Sequence, residues 1–186
     1  MPKVRTADEV ILVDQLLSEA QHLTRIHVII ETNEGLESAH EIARSSTRID
    51  ALFFGAIDMA PELRCVLSWE NLLYARSRVV HAAASAGLDV IDVPHLDLDD
   101  MEGMRIAAEQ ARALGFAGKG SIHPKQIPIL NEVFTPSPEK IARARRVTAE
   151  FEAADTGLVV IDGKLIEKPA LREMYRIVAI ADRMGL

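Results

Sequence analysis

The chain has 186 residues, 48% of them hydrophobic but only 4% aromatic, and a formal charge of −7. That supports one globular domain with a real core, and it excludes a nucleic-acid binder, since no basic stripe offsets the acidic excess. It also predicts a cytoplasmic protein off the membrane: no apolar run nears the roughly 18 residues of a span, Met1-Pro2-Lys3-Val4-Arg5 lacks a signal-peptide core, and Cys65 stands alone.

Residues 1–4 read as the tail of a strand. Thr6 or Asp8 caps a helix to about His22, buried along Val10, Ile11, Val13, Leu16 and Leu17. Two apolar runs rich in β-formers follow, at 26–30 and 51–54. Between them lies a helical pattern with Leu36, Ala39, Ile42 and Ala43 on one face. This is a βαβ unit, so its two strands are parallel. Glu31, directly after the first strand, and Asp58, after the Gly55-Ala56-Ile57 turn, then stand at the same end of neighbouring strands. Parallel α/β folds bind ligands at that end. Two carboxylates there suit a hard cation such as Mg²⁺, with positions left for water and substrate. An acid after a strand also serves as the N-cap of the next helix, a duty Thr32 or Asn33 shares equally well. Spacing leaves both readings open.

Residues 60–68, with Pro61 and Cys65, read as a loop over the strand ends. A helix from about Glu70 to Ala86 stops at Gly87, and a strand covers 88–92. Asp97, Asp99 and Asp100 crowd the start of a helix that reaches Leu114. A short strand with a turn at 121–124 and a helix to about Val133 come next. Thr135-Pro136-Ser137-Pro138 breaks the chain, and Ser137 caps a helix to about Ala154. The tail is a hairpin on the Asp162-Gly163 turn and a helix from Pro169 to about Met184. The expected division is 1–154 and 155–186, with a hinge at 154–157. The βα alternation fits an open sheet of four or five strands as well as part of a (β/α)₈ barrel, whose full circuit takes roughly 250 residues.

Motifs in one consistent order run through the chain: P-K-V at 2–4, I-I-E-T-x-x-G-L-x-x-A-x-E-I-A at 29–43, F-F-G-x-x-D at 53–58 and Y-A-R at 74–76. They continue with A-G-L-D-V-I-D-V-P at 86–94, G-F-A-G-K-G-S-I-H-P-K-Q-I at 115–127 and D-G-K-L-I-E-K-P at 162–169. By these the chain resembles the citrate lyase beta-subunit-like family, which includes malyl-CoA and citramalyl-CoA lyases. The resemblance implies an α/β fold, an incomplete (β/α)₈ TIM barrel of about the last four to five βα units. It also implies a C-terminal hairpin-helix extension that packs on a neighbouring subunit in a trimer or hexamer.

The reaction implied is Mg²⁺-dependent cleavage or formation of a β-hydroxyacyl-CoA, to or from acetyl-CoA and a 2-oxo acid. Glu31 and Asp58 map onto the metal ligands. The backbone N–H groups of the Gly55-Ala56-Ile57 turn are candidates for binding the substrate carboxylate, a glycine there letting a ligand approach closely. Glu31 and Arg76 are further candidates for substrate binding, with neutralisation of a Glu or Asp an equal reading for Arg76. Lys119 and His123 are the candidates for contact with the coenzyme, a structural histidine being the plainer reading of His123. Glu167 stands where the family's tail carries a catalytic Asp, and is the candidate acid/base. Its plainer reading is the end of a hairpin. The family's acidic D-L-E-D-like motif and its R-V-N strand are not in this sequence. That departure keeps a second expectation open, a non-catalytic or truncated assembly or regulatory subunit that retains the metal pair.

Overall fold

A computed structural model describes residues 1–154 and 158–186. The chain forms two compact units, Met1–Phe134 and Thr135–Leu186. The division falls at the Thr135-Pro136-Ser137-Pro138 breaker, earlier than the expected hinge, part of which (155–157) lies outside the described residues.

The first unit is built on four parallel strands, β1 (Ile26–Ile30), β2 (Ile49–Phe54), β3 (Asp89–Asp92) and β4 (Gly118–Lys119), in the order β1-β2-β3-β4. Helix α1 (Ala7–Glu19) precedes β1, and α2 (Asn33–Glu37) and α3 (Ala39–Arg44) connect β1 to β2. The single helix expected there breaks at Ser38, which ends α2 and caps α3. After β2 come α4 (Ala56–Glu62) and α5 (Leu73–Ala86). Helix α4 replaces the first part of the expected loop, with Pro61 in its last turn. Helix α5 ends at Gly87, whose φ of 71° is left-handed and would strain a residue with a Cβ. Then follow α6 (Met101–Leu114), a 3₁₀ turn at Pro124–Gln126 and α7 (Ile127–Phe134). The expected strand at 121–124 forms earlier, as β4. Residues 1–4 are not a strand, but they lie along β1: the Ile29 N–H donates to Met1 O at 2.9 Å, and the Met1 amine to His27 O at 2.6 Å.

Register explains where the core sits. Val28 pairs with Leu52 and Ile30 with Phe54, and Leu52 pairs with Val90. These residues are buried in one cluster with Leu36, Ile42, Val79 and Ala83 from the helices. Strand periodicity sends the alternate residues to the opposite face. There His27 is exposed and Ile29, Phe53 and Ile91 are only half-buried. The helices thus bury one face of the sheet.

The second unit contains α8 (Pro138–Glu152), the antiparallel pair β5 (Leu158–Ile161) and β6 (Lys164–Glu167), and α9 (Lys168–Met184). Asp162 and Gly163 both take positive φ, 52° and 71°, as a two-residue hairpin turn requires. Val147, Ile161 and Leu171 form its small core. Among the described residues, no helix is long and apolar enough to cross a membrane.

Candidate active site at the carboxyl ends of β1 and β2

Glu31 follows β1 and Asp58 lies in the first turn of α4, just after β2. Because β1 and β2 run parallel and in register to Ile30 and Phe54, both acids reach the same end of the sheet. Neither acid is a cap. The Thr32 hydroxyl caps α2, its Oγ1 accepting the Gly35 N–H at 3.0 Å, and Gly55 occupies the N-cap position of α4. That settles the local ambiguity of the sequence, since both carboxylates are free of helix-end duty.

Lys3 links the two acids. Its backbone N–H donates to Glu31 Oε1 at 2.9 Å, and its ammonium donates to Asp58 Oδ1. Glu31 is buried, and burial pushes its carboxyl above the ordinary carboxylate range. The Lys3 N–H partly counters this, while the neighbouring Asp58 charge adds to it. The Lys3 hydrogen bond holds Asp58 below its usual value, and Asp58 in turn raises Lys3. Sequence reasoning read P-K-V as the end of a strand and missed Lys3. The signal was a lysine in a motif whose spacing to Glu31 only a fold can reveal.

Around the pair lies a pocket of about 320 Å³ lined by Lys3, Arg5, Glu31, Thr32, Asp58 and Glu62. Gly55 sets how closely the strand ends meet. A Cβ placed there would stand 2.5 Å from both Cβ and Oε2 of Glu31. The sequence reading gave this glycine to ligand approach, yet the close neighbour is Glu31 itself. The Gly55 N–H is also committed, donating to Ile30 O at 3.0 Å, so it is no free donor for a substrate carboxylate. Ala56 is fully buried, and Ile57 is half-exposed and turns toward a different pocket.

Three of the remaining candidates, Arg76, Lys119 and His123, are not brought to the carboxylate pair. Arg76, on α5, is buried with Nε donating to Asp92 Oδ1 at 3.0 Å, and its guanidinium lies over the rings of Phe54 and Trp69. Lys119 donates to the other Asp92 oxygen at 2.6 Å. His123 precedes the 3₁₀ turn, and its Nδ1 accepts the Lys125 N–H at 3.1 Å, which is a capping role. Glu167 ends β6 in the second unit. It is exposed, and its side chain makes no capping bond to α9 although it occupies the N-cap position.

Among the described residues no group of three or more His, Cys, Asp or Glu side chains converges to hold a metal. A pair of carboxylates still fits Mg²⁺, which keeps several waters and takes one or two protein carboxylates. The donor set is all oxygen, and the Lys3 ammonium already sits on Asp58.

Comparison with known proteins shows which family the chain resembles. The sequence model of the HpcH/HpaI aldolase/citrate lyase family matches residues 1–124. The L-malyl-CoA/beta-methylmalyl-CoA lyase of Cereibacter sphaeroides is 31% identical over 213 residues, covering 100% of this chain and 67% of its own length. The citrate lyase subunit beta of Leuconostoc mesenteroides is 29% identical, over 98% of this chain and 64% of that protein. The crystal structure of the protein CitE from Mycobacterium tuberculosis, in complex with magnesium, acetoacetate and coenzyme A, superposes with a TM-score of 0.77 at 28% identity. It covers 98% of this chain and 67% of that structure. The chain thus spans about two thirds of the length of these relatives.

Proposed function

Because the chain belongs to the HpcH/HpaI aldolase/citrate lyase family, we propose that it serves a Mg²⁺-dependent carbon–carbon lyase that cleaves or forms a β-hydroxyacyl-CoA. The products of cleavage are acetyl-CoA and a 2-oxo acid. The carrying observation is the Glu31–Asp58 pair, uncapped and facing one pocket at the carboxyl ends of parallel strands. The magnesium in the CitE complex supports the cation, and its acetoacetate and coenzyme A support the substrate class. The fold is read as part of a (β/α)₈ barrel, since its helices cover one sheet face, as they do on the outside of a barrel.

Glu31 and Asp58 hold the cation, which, when bound, polarises the substrate's hydroxyl and carboxylate oxygens. Lys3 must release Asp58 for this, and its ammonium then remains beside the pair as a second positive charge. As the carbon–carbon bond breaks, the hydroxyl gives its proton to solvent water and its carbon becomes the carbonyl of the 2-oxo acid. The bonding electrons pass to the acetyl-CoA fragment as an enolate, which takes a proton at carbon. Glu167 is assigned that proton, acting in an adjacent subunit of a homo-oligomer. Its support is the matching tail motif and an exposed carboxylate unspent on capping.

The test has two readouts. Mn²⁺ or Mg²⁺ calorimetry should show binding in the parent and loss in Glu31→Gln and Asp58→Asn. Deuterium exchange into acetyl-CoA should fall in Glu167→Ala and rise in Glu167→Asp, because the shorter side chain restores the family's reach. Equal metal binding by all three proteins would remove the site. Metal binding without exchange in any protein would favour the non-catalytic subunit, which keeps the pair for assembly.

A further inference from the structure

Two buried cations share one carboxylate at the ends of β3 and β4. Arg76 and Lys119 bond to opposite oxygens of Asp92, whose side chain has no exposure at all. The side chains of Arg76 and Lys119 are themselves 6% and 3% exposed. One negative charge against two positive charges leaves an excess positive charge out of water, an arrangement that costs free energy unless an anion completes it. The strain is visible at both cations. Arg76 Nη1 is buried without a hydrogen-bond partner. Desolvation pushes the Lys119 ammonium below the usual lysine range, against the pull of Asp92.

Both cations line a pocket of about 340 Å³, together with Trp69, Pro94, His95 and Gln110. That volume is at the small end of the range for small-molecule sites. Trp69 covers the guanidinium, its ring centre 4.6 Å from Arg76 Cζ. Asp97 also lines the pocket, and its Oδ1 takes the N–H groups of Asp99 and Asp100. That end repels an anion, so the anionic group belongs at the Arg76 and Lys119 end. Neither Glu31 nor Asp58 lines this pocket, and neither cation lines theirs.

We propose that this pocket binds a small molecule carrying one carboxylate or phosphate group, the anion seated at Arg76 and Lys119 and a planar apolar body packed against Trp69. The pocket adjoins the Glu31–Asp58 pair through Ile57, but neither carboxylate lines it, and the proposal does not depend on the function proposed for that pair.

Trp69 is the only tryptophan in the chain, so its emission reports the pocket directly. The metal-free protein is titrated with benzoate, phenyl phosphate and neutral benzyl alcohol, by fluorescence and by calorimetry. A saturable response to benzoate or phenyl phosphate, and none to benzyl alcohol, is expected. The stronger of the two names the head group. Lys119→Gln should weaken binding about tenfold or more, since it removes a charge-assisted donor. Ala107→Leu fills the pocket from α6 without touching the charges, and should abolish binding while circular dichroism and melting stay those of a folded protein. Glu31→Gln/Asp58→Asn should bind like the parent. The proposal is overturned by no saturable response by either method up to about 10 mM, by an equal response to benzyl alcohol, by Ala107→Leu binding normally, or by binding that disappears with the carboxylate pair.

Discussion

Gly55→Ala tests how the carboxylate pair is held. Gly55 has φ −96° and ψ 76°, so alanine pays no left-handed penalty there. All of the cost is steric. The new methyl would lie 2.5 Å from Glu31 Cβ, an atom fixed on the end of β1 and unable to swing aside. Ordinary carbon contacts are near 3.5–4.0 Å, so the ends of β1 and β2 must part by about 1 Å. Overpacking of this kind costs about 1–3 kcal/mol. At about 2–4 °C per kcal/mol for a chain of this size, the melting temperature should fall by about 2–12 °C. The same shift moves the Glu31 carboxylate away from Asp58. Disturbing the support of a metal ligand weakens binding by about 10–100-fold, and that loss is expected for Mg²⁺ or Mn²⁺. Gly87→Ala is the control. Its Cβ would meet nothing within 4 Å, but its φ is +71°. It should cost a comparable 1–2 kcal/mol, roughly, through backbone strain and leave metal affinity unchanged. Scanning calorimetry gives the stability and titration calorimetry the affinity. Wild-type melting and wild-type affinity in Gly55→Ala would refute the reasoning, as would a loss of affinity in Gly87→Ala equal to that in Gly55→Ala.

Glu31→Gln should raise the melting temperature of the metal-free protein at about pH 8 and converge with the parent near pH 4. The native Glu31 carboxyl is held above its ordinary 4.5, so the folded state binds more protons and loses stability as pH rises from that value through the raised one. Asp58 runs the other way: Lys3 holds it below its ordinary 3.8, so its contribution is present above that pH and fades as pH falls through the lowered value. A melting profile of the variant parallel to the parent at every pH would remove this account. At the buried cluster, Asp92→Asn leaves two cations without their carboxylate and should cost about 3–5 kcal/mol in denaturant unfolding. Lys119→Met, which removes the surplus charge, should cost far less, and equal losses in the two variants would show that the charge excess is not what matters there.

Much of this protein was legible in its sequence because the information was local. Apolar runs at 26–30 and 51–54 with a helical pattern between them specify a βαβ unit, and a βαβ unit has parallel strands. Glu31 and Asp58 therefore had to emerge at one end, and the structure places them there. Asp162-Gly163 is equally local, since the turn needs positive φ at both positions and those residues tolerate it. The partners of these residues were decided only by tertiary packing. Lys3 reaches Glu31 across 28 residues and Asp58 across 55, distances over which no periodicity carries information. For Arg76 the sequence leaves two readings even, contact with substrate at the strand ends or neutralisation of an acid. The fold buries it against Asp92, where a carboxylate and two aromatic rings stabilise a desolvated guanidinium. Gly55 was read as space for a ligand, and only the packed strands show that Glu31 fills that space. A sequence pattern fixes which way a side chain leaves its own strand or helix; what it meets there depends on elements far along the chain, and is set when they pack.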